Sequence, residues 1–184
     1  MKKLVLLGDS IRLAGYGNAV AERLADKFVT WQPEDNCRFS KYLLRTIFDN
    51  RANLEGADVI HFNCGLWDIC KLYNDNQPFT PIDEYKKDLV RIAAELKKYG
   101  KTIIFSTTTP CPEGNPYNDD AVIQEFNAAA TEILTPMGVI INDLHSVIAA
   151  DMKRYINQND LLHLSEDGAK AATESVLSAI LANS

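Results

Sequence analysis

Short apolar, β-rich runs alternate with longer stretches of helical spacing from one end of the chain to the other. Residues 4–7, 28–31, 59–62, 102–105 and 139–141 read as five strands rich in Val, Ile, Leu and Phe. Between and after them, helical spacing covers residues 16–26, 40–48, 119–134, 143–153 and 166–181. The longest intervening helix is bounded by Thr80 as N-cap, Pro81 at the first helical position and Gly100 at its end. Inside it Ile82, Tyr85, Leu89, Ile92, Leu96 and Tyr99 recur at three or four residues. Ser40 is expected to cap the helix that buries Leu43, Leu44 and Ile47. Strands that alternate with helices join through right-handed crossovers into a parallel sheet covered on both faces. The expected fold class is therefore α/β: a five-stranded parallel sheet in a three-layer α/β/α sandwich of flavodoxin-like type. At 184 residues, with no repeats or linkers, the chain reads as one domain over 1–184.

Composition narrows the partners. A net charge of −6, with no clustered Lys and Arg, argues against nucleic acid or an anionic membrane. The apolar run that opens the chain stops after four residues at Gly8, too short for a signal-peptide core, and no segment has the length of a bilayer span. Four cysteines (Cys37, Cys64, Cys70, Cys111) without Cys-x-x-Cys spacing read as free thiols, so the expected compartment is the cytoplasm. The three histidines, at 61, 145 and 163, form no short ligand pair, and no metal is expected. His61 reads as a core imidazole and His145 as a residue of a first helical turn.

Polar clusters fall just past the expected strand ends, and a parallel sheet would crowd them onto one rim. Ser10 follows the first strand at a strand-to-helix junction, where its hydroxyl can reach a cleft and unpaired N–H groups can face an oxyanion. A serine hydroxyl needs a base before it is a useful nucleophile. His163 can take its proton, and Asp160, three residues earlier, can fix the imidazole tautomer.

With these residues in view, the sequence resembles the SGNH/GDSL hydrolase family. Leu4-Val5-Leu6-Leu7-Gly8-Asp9-Ser10-Ile11-Arg12 is similar to that family's first block, and Asp160-Leu161-Leu162-His163-Leu164-Ser165 to its last. The resemblance implies the sandwich fold, ester or thioester hydrolysis through an acyl-enzyme, and no cofactor. The middle blocks depart from the pattern. The segment from Pro33 to Ser40 lacks the family's oxyanion glycine, and the Cys37 backbone N–H is the candidate replacement. Gly65-Leu66-Trp67-Asp68 carries Trp67 where the family has an oxyanion asparagine, so Asn63 is the candidate donor there, beside the alternative of a buried asparagine bonding local backbone. Arg12 reads either as a ligand for a substrate hydroxyl or carboxylate or as half of a surface ion pair. Trp67 reads as a pocket wall or a cover on the core edge. Asp9 reads as structural, and Asn127 as a brace for the rim loops or a solvent-facing residue. The expected function is hydrolysis of small acyl esters, with acetylated sugars among the candidates. The alternatives are a non-catalytic ligand-binding protein and an acyltransferase with the same three residues.

Overall fold

A computed structural model describes residues 1–184. Strand β1 (Lys2–Leu7) leads through a π-helical segment (Ile11–Tyr16) into α1 (Gly17–Arg23) and β2 (Phe28–Trp31). Helices α2 (Ser40–Asp49) and α3 (Arg51–Leu54) precede β3 (Ala57–Phe62), and α4 (Leu66–Ile69) and α5 (Ile82–Leu96) precede β4 (Gly100–Ser106). Helix α6 (Asp120–Leu134), β5 (Ile140–Asn142), α7 (Leu144–Ala149), α8 (Met152–Tyr155) and α9 (Glu166–Ala182) complete the chain.

All strand pairs are parallel, in the order β2-β1-β3-β4-β5. The first connection runs one way across the sheet and the rest run the other, so the crossovers diverge between β1 and β3. Open α/β sheets place their sites at this divergence, beyond the carboxyl ends of the strands. Helices α1, α7, α8 and α9 pack together on one side, and α2, α5 and α6 on the other. Leu4 to Leu7 are fully buried without polar alternation, as a central strand covered on both faces requires. The buried apolar side chains form one contiguous cluster that reaches from Leu4 to Ile180.

Element types match the sequence reading, and several boundaries move. The first helix starts early, as the π-helical turn directly after Ser10. Ser40 is the first residue of α2 rather than its cap, because its hydroxyl bonds to Asp68 and Asp88. Pro81, not Thr80, stands at the N-cap of α5, and Thr80 is buried. Gly100 begins β4 after α5 has ended at Leu96. The helix expected over 143–153 breaks in two, since Asp151 turns its carboxylate onto the Arg154 N–H and caps a new turn.

Candidate active site

The loop after β1 is shaped by close packing. A side chain at Gly8 would meet the Asn63 amide oxygen at 2.0 Å and Arg12 Cβ at 2.9 Å, so only glycine fits. Asp9 is buried, and its carboxylate accepts the Ile11 N–H at 2.9 Å while its carbonyl accepts the Leu13 N–H. Burial raises the Asp9 pKa, partly offset by the Asn63 amide, the Ile11 N–H and the Arg12 and His163 charges. This frame presents Ser10 at the start of the π-helical turn, where its own N–H finds no acceptor in the protein. π-Helical turns occur often at functional sites.

The other half of the site comes from the loop before α9. His163 Nε2 lies 3.0 Å from Ser10 Oγ, across 153 positions of chain. Its Nδ1 lies 3.0 Å from Asp160 Oδ2. An ionised carboxylate only accepts, so Nδ1 carries the hydrogen and Nε2 offers its lone pair to the Ser10 hydroxyl. The other carboxylate oxygen of Asp160 accepts the N–H groups of Leu162 and His163, each at 2.9 Å. Partial burial pulls the Asp160 pKa up, but those two N–H groups and the imidazole outweigh it and leave it lowered. Asp160 thus serves its own turn and the imidazole together. Asn157 closes the loop by donating its N–H to the His163 carbonyl at 2.7 Å, and Asn115 Nδ2 holds the Leu161 carbonyl at 2.9 Å.

Three sequence expectations need correction or refinement. Arg12 is fully buried: its guanidinium donates to Gln32 Oε1 and to the carbonyls of Gly8, Pro33 and Asp35. It clamps the loops that follow β1 and β2 and is neither a substrate ligand nor a surface ion pair. The Cys37 N–H is already donated to the Gly8 carbonyl at 3.0 Å, so it is no free oxyanion donor. The next residue, Arg38, occupies the left-handed conformation (φ 51°), and its N–H goes to Asn36 Oδ1. Asn63 is buried against Gly8, with its Oδ1 accepting the Tyr16 hydroxyl at 2.8 Å and its amide bonded to Asp9. An amide nitrogen carries two hydrogens, so one remains available for another acceptor.

Asn127, His61 and His145 fall as expected. Asn127 grips both backbone groups of Thr108, donating to its carbonyl at 2.9 Å and accepting its N–H at 2.8 Å, which braces the loop after β4. His61 is buried, with Nε2 2.8 Å from Ser106 Oγ, and burial lowers its pKa to about 3. His145 sits in the first turn of α7, beside Asp120. Trp67 is exposed on α4, on the same rim as Ser10. Sequence reasoning does not single out Tyr16 or the buried group of Ser40, Asp68 and Asp88. An aspartate one residue past Trp67 was the available signal for the latter.

Ser10 and His163 are both half-buried, and neither lines the cavity walled by the 111–120 loop. A cavity of about 510 Å³, walled by the 111–120 loop with Lys71 and Met152, adjoins the His163 loop through Asn115.

No protein-family model matches the chain. A GDSL esterase/lipase of Arabidopsis thaliana is 31% identical over 119 residues, which cover 60% of this chain and 49% of that protein. The match thus spans about half the length of that relative. Among solved structures, the acetyl xylan esterase AlAXEase superposes with a TM-score of 0.80 at 19% identity, covering 97% of this chain and 99% of that one. Axe2, an acetylxylan esterase from Geobacillus stearothermophilus, superposes at 0.79 with 17% identity, covering 97% and 94%. Two structures described as catalytic mutants of Axe2 replace a serine and a histidine by alanine. A lipase/acylhydrolase from Enterococcus faecalis reaches 0.75 at 20% identity, covering 98% and 95%. The chain shares its α/β/α sandwich fold with these esterases and this acylhydrolase, and the protein it matches in sequence is a GDSL esterase/lipase.

Proposed function

We propose that the protein is a serine esterase that hydrolyses small acyl esters. The observation that carries this reading is the continuous hydrogen-bonded line from Asp160 through His163 to Ser10, with both contacts at 3.0 Å. Ser10 Oγ attacks the ester carbonyl as its proton passes to His163 Nε2. The imidazolium, held by Asp160, returns that proton to the departing alkoxide, and the acyl group stays on Ser10. Water, deprotonated by the same imidazole, then cleaves the acyl-enzyme and restores Ser10. The Ser10 N–H and the second hydrogen of the Asn63 amide are the donors for the oxyanion of each tetrahedral intermediate. Losing one such donor typically costs about 3–4 kcal/mol of barrier.

The names of the acetyl xylan esterases that share the fold support acetyl on a carbohydrate as the first substrate to try. A serine-directed fluorophosphonate should label the pure protein once, at Ser10. Absence of labelling would overturn the esterase and leave a ligand-binding protein on the same fold.

A further inference from the structure

Beneath the rim, on the side of α2 and α5, lies a polar cluster that the proposed chemistry does not use. Asp68, on α4, and Asp88, on α5, are both buried, and the hydroxyl of Ser40 stands between them. Ser40 Oγ lies 2.7 Å from Asp68 Oδ1 and 3.0 Å from Asp88 Oδ2. Neither carboxylate pairs with a lysine or arginine; Lys41, the cation whose field reaches both, is bonded to Glu84 at 2.6 Å. Cys64, Cys70 and Tyr85 also feel the Asp68 charge, and none of them supplies a positive one.

A hydroxyl has one hydrogen. It can satisfy one of two flanking carboxylates, and its lone pairs would then face the second as one negative centre against another. Two buried carboxylates sharing a site do not both ionise readily. We infer that Asp68 and Asp88 hold one proton between them across the Ser40 hydroxyl, and that this proton positions the two loops flanking Ser10. Asp68 carries the proton and donates it to Ser40 Oγ at 2.7 Å, and the Ser40 hydroxyl in turn donates to Asp88 at 3.0 Å. Asp68 also accepts the Ser40 N–H at 3.0 Å. Burial, opposed by the Ser40 and Thr80 donors, pushes the Asp68 carboxyl up to about 6.

The cluster joins the two loops that frame the nucleophile. Ser40 lies three residues beyond Cys37, whose N–H holds the Gly8 carbonyl and whose thiol accepts the Gly8 N–H. Asp68 lies five residues beyond Asn63 and anchors the 65–69 turn, where Gly65 has φ 143° and leaves no room for a side chain beside Thr108. The Asp68 carbonyl also accepts the Thr80 N–H. Loss of the proton would set two negative charges against each other under both loops. Ser40 and Asp88 are thus positioning residues, a consequence that rests on Ser10 being the nucleophile.

Two measurements test this. Carbon-13 NMR of aspartate-labelled protein reads the proton directly: the carboxyl carbon of Asp68 should titrate near pH 6. In Asp88→Asn that step should move down while staying above the ordinary carboxylate range, because burial is its larger cause. An Asp68 carboxyl carbon already fully ionised at pH 5 would overturn the proton, and this reading needs only the wild-type protein. For the positioning role, the Asn amide donates to Ser40 at every pH. The ratio of kcat between Asp88→Asn and wild type on p-nitrophenyl acetate should rise roughly three- to tenfold from pH 5 to 8, with KM little changed, and Asp88→Ala should not reproduce it. A constant ratio would remove the link to the nucleophile. A protein that fluorophosphonate does not label would sink the esterase reading while leaving the NMR result to decide the proton.

Discussion

The two halves of the candidate site are held by different physics. Ser10 stands on a loop whose supports, Asp9, Arg12 and Asn63, are all almost entirely buried. His163 and Asp160 expose about 41% and 40% of their side chains and depend on bonds within their own turn. Ser10, the proposed nucleophile, is placed by packing, so its geometry is coupled to global stability. His163, the proposed base, is placed by local hydrogen bonds, so its geometry can fail while the protein stays folded. Substitutions around Ser10 should therefore cost stability first, and those around His163 activity first.

The sharpest separation should come from the reacting groups. Ser10→Ala and His163→Ala are each expected to cut turnover of p-nitrophenyl acetate by about 10³-fold or more, with little change in melting temperature. Residual turnover near wild type would place the nucleophile elsewhere. Asp160→Asn should follow, with kcat down about 100-fold or more, because the amide can present its NH2 to Nδ1 and reverse the imidazole tautomer. The same substitution tests a pH effect. The Asp160 pKa is lowered in the fold, so the folded chain binds fewer protons there than the unfolded one. That contribution to stability is present above the ordinary carboxylate range and drains away as pH falls through the lowered value. Wild type and Asp160→Asn should therefore converge in melting temperature in acid, and parallel curves would count against the assignment. The group's exposure keeps this effect small.

On the buried side, Arg12→Met should cost about 2–4 kcal/mol in chemical denaturation, because the Gly8, Pro33 and Asp35 carbonyls lose a charged donor and Asp9 loses its nearby cation. Its KM for small esters should barely move. A large KM change with unaltered stability would return Arg12 to the substrate. The smallest effect belongs to Tyr16→Phe, about 1 kcal/mol, since it removes one buried hydrogen bond. A few-fold drop in kcat should accompany it as Asn63 loses the partner that fixes its amide. Unchanged kcat would free Asn63 from any part in the reaction.

Much of this was legible in the chain. The short apolar runs within β1, β3 and β4 read correctly because a strand buried on both faces has little alternation to disguise it. Capping was less legible. Ser40 and Thr80 have the chemistry of N-caps, yet both lie in the interior, where Asp68 offers a partner that no local pattern announces. Arg12 has the look of a surface residue beside a reactive serine, and only the three carbonyls converging on it from the β1 and β2 loops make its burial tolerable. Cys37 was chosen for an N–H that the fold had already assigned to Gly8.

The order of strands and helices, the residue types at the rim and the short Asp160-to-His163 turn followed from sequence, because each depends on periodicity or on neighbours a few positions apart. The meeting of Ser10 with His163, the destinations of the backbone N–H groups and the sharing of Ser40 by two carboxylates were decided only in three dimensions. A hydrogen-bonding group carries no record of its distant partner, which is selected when packing removes water and leaves one acceptor within reach.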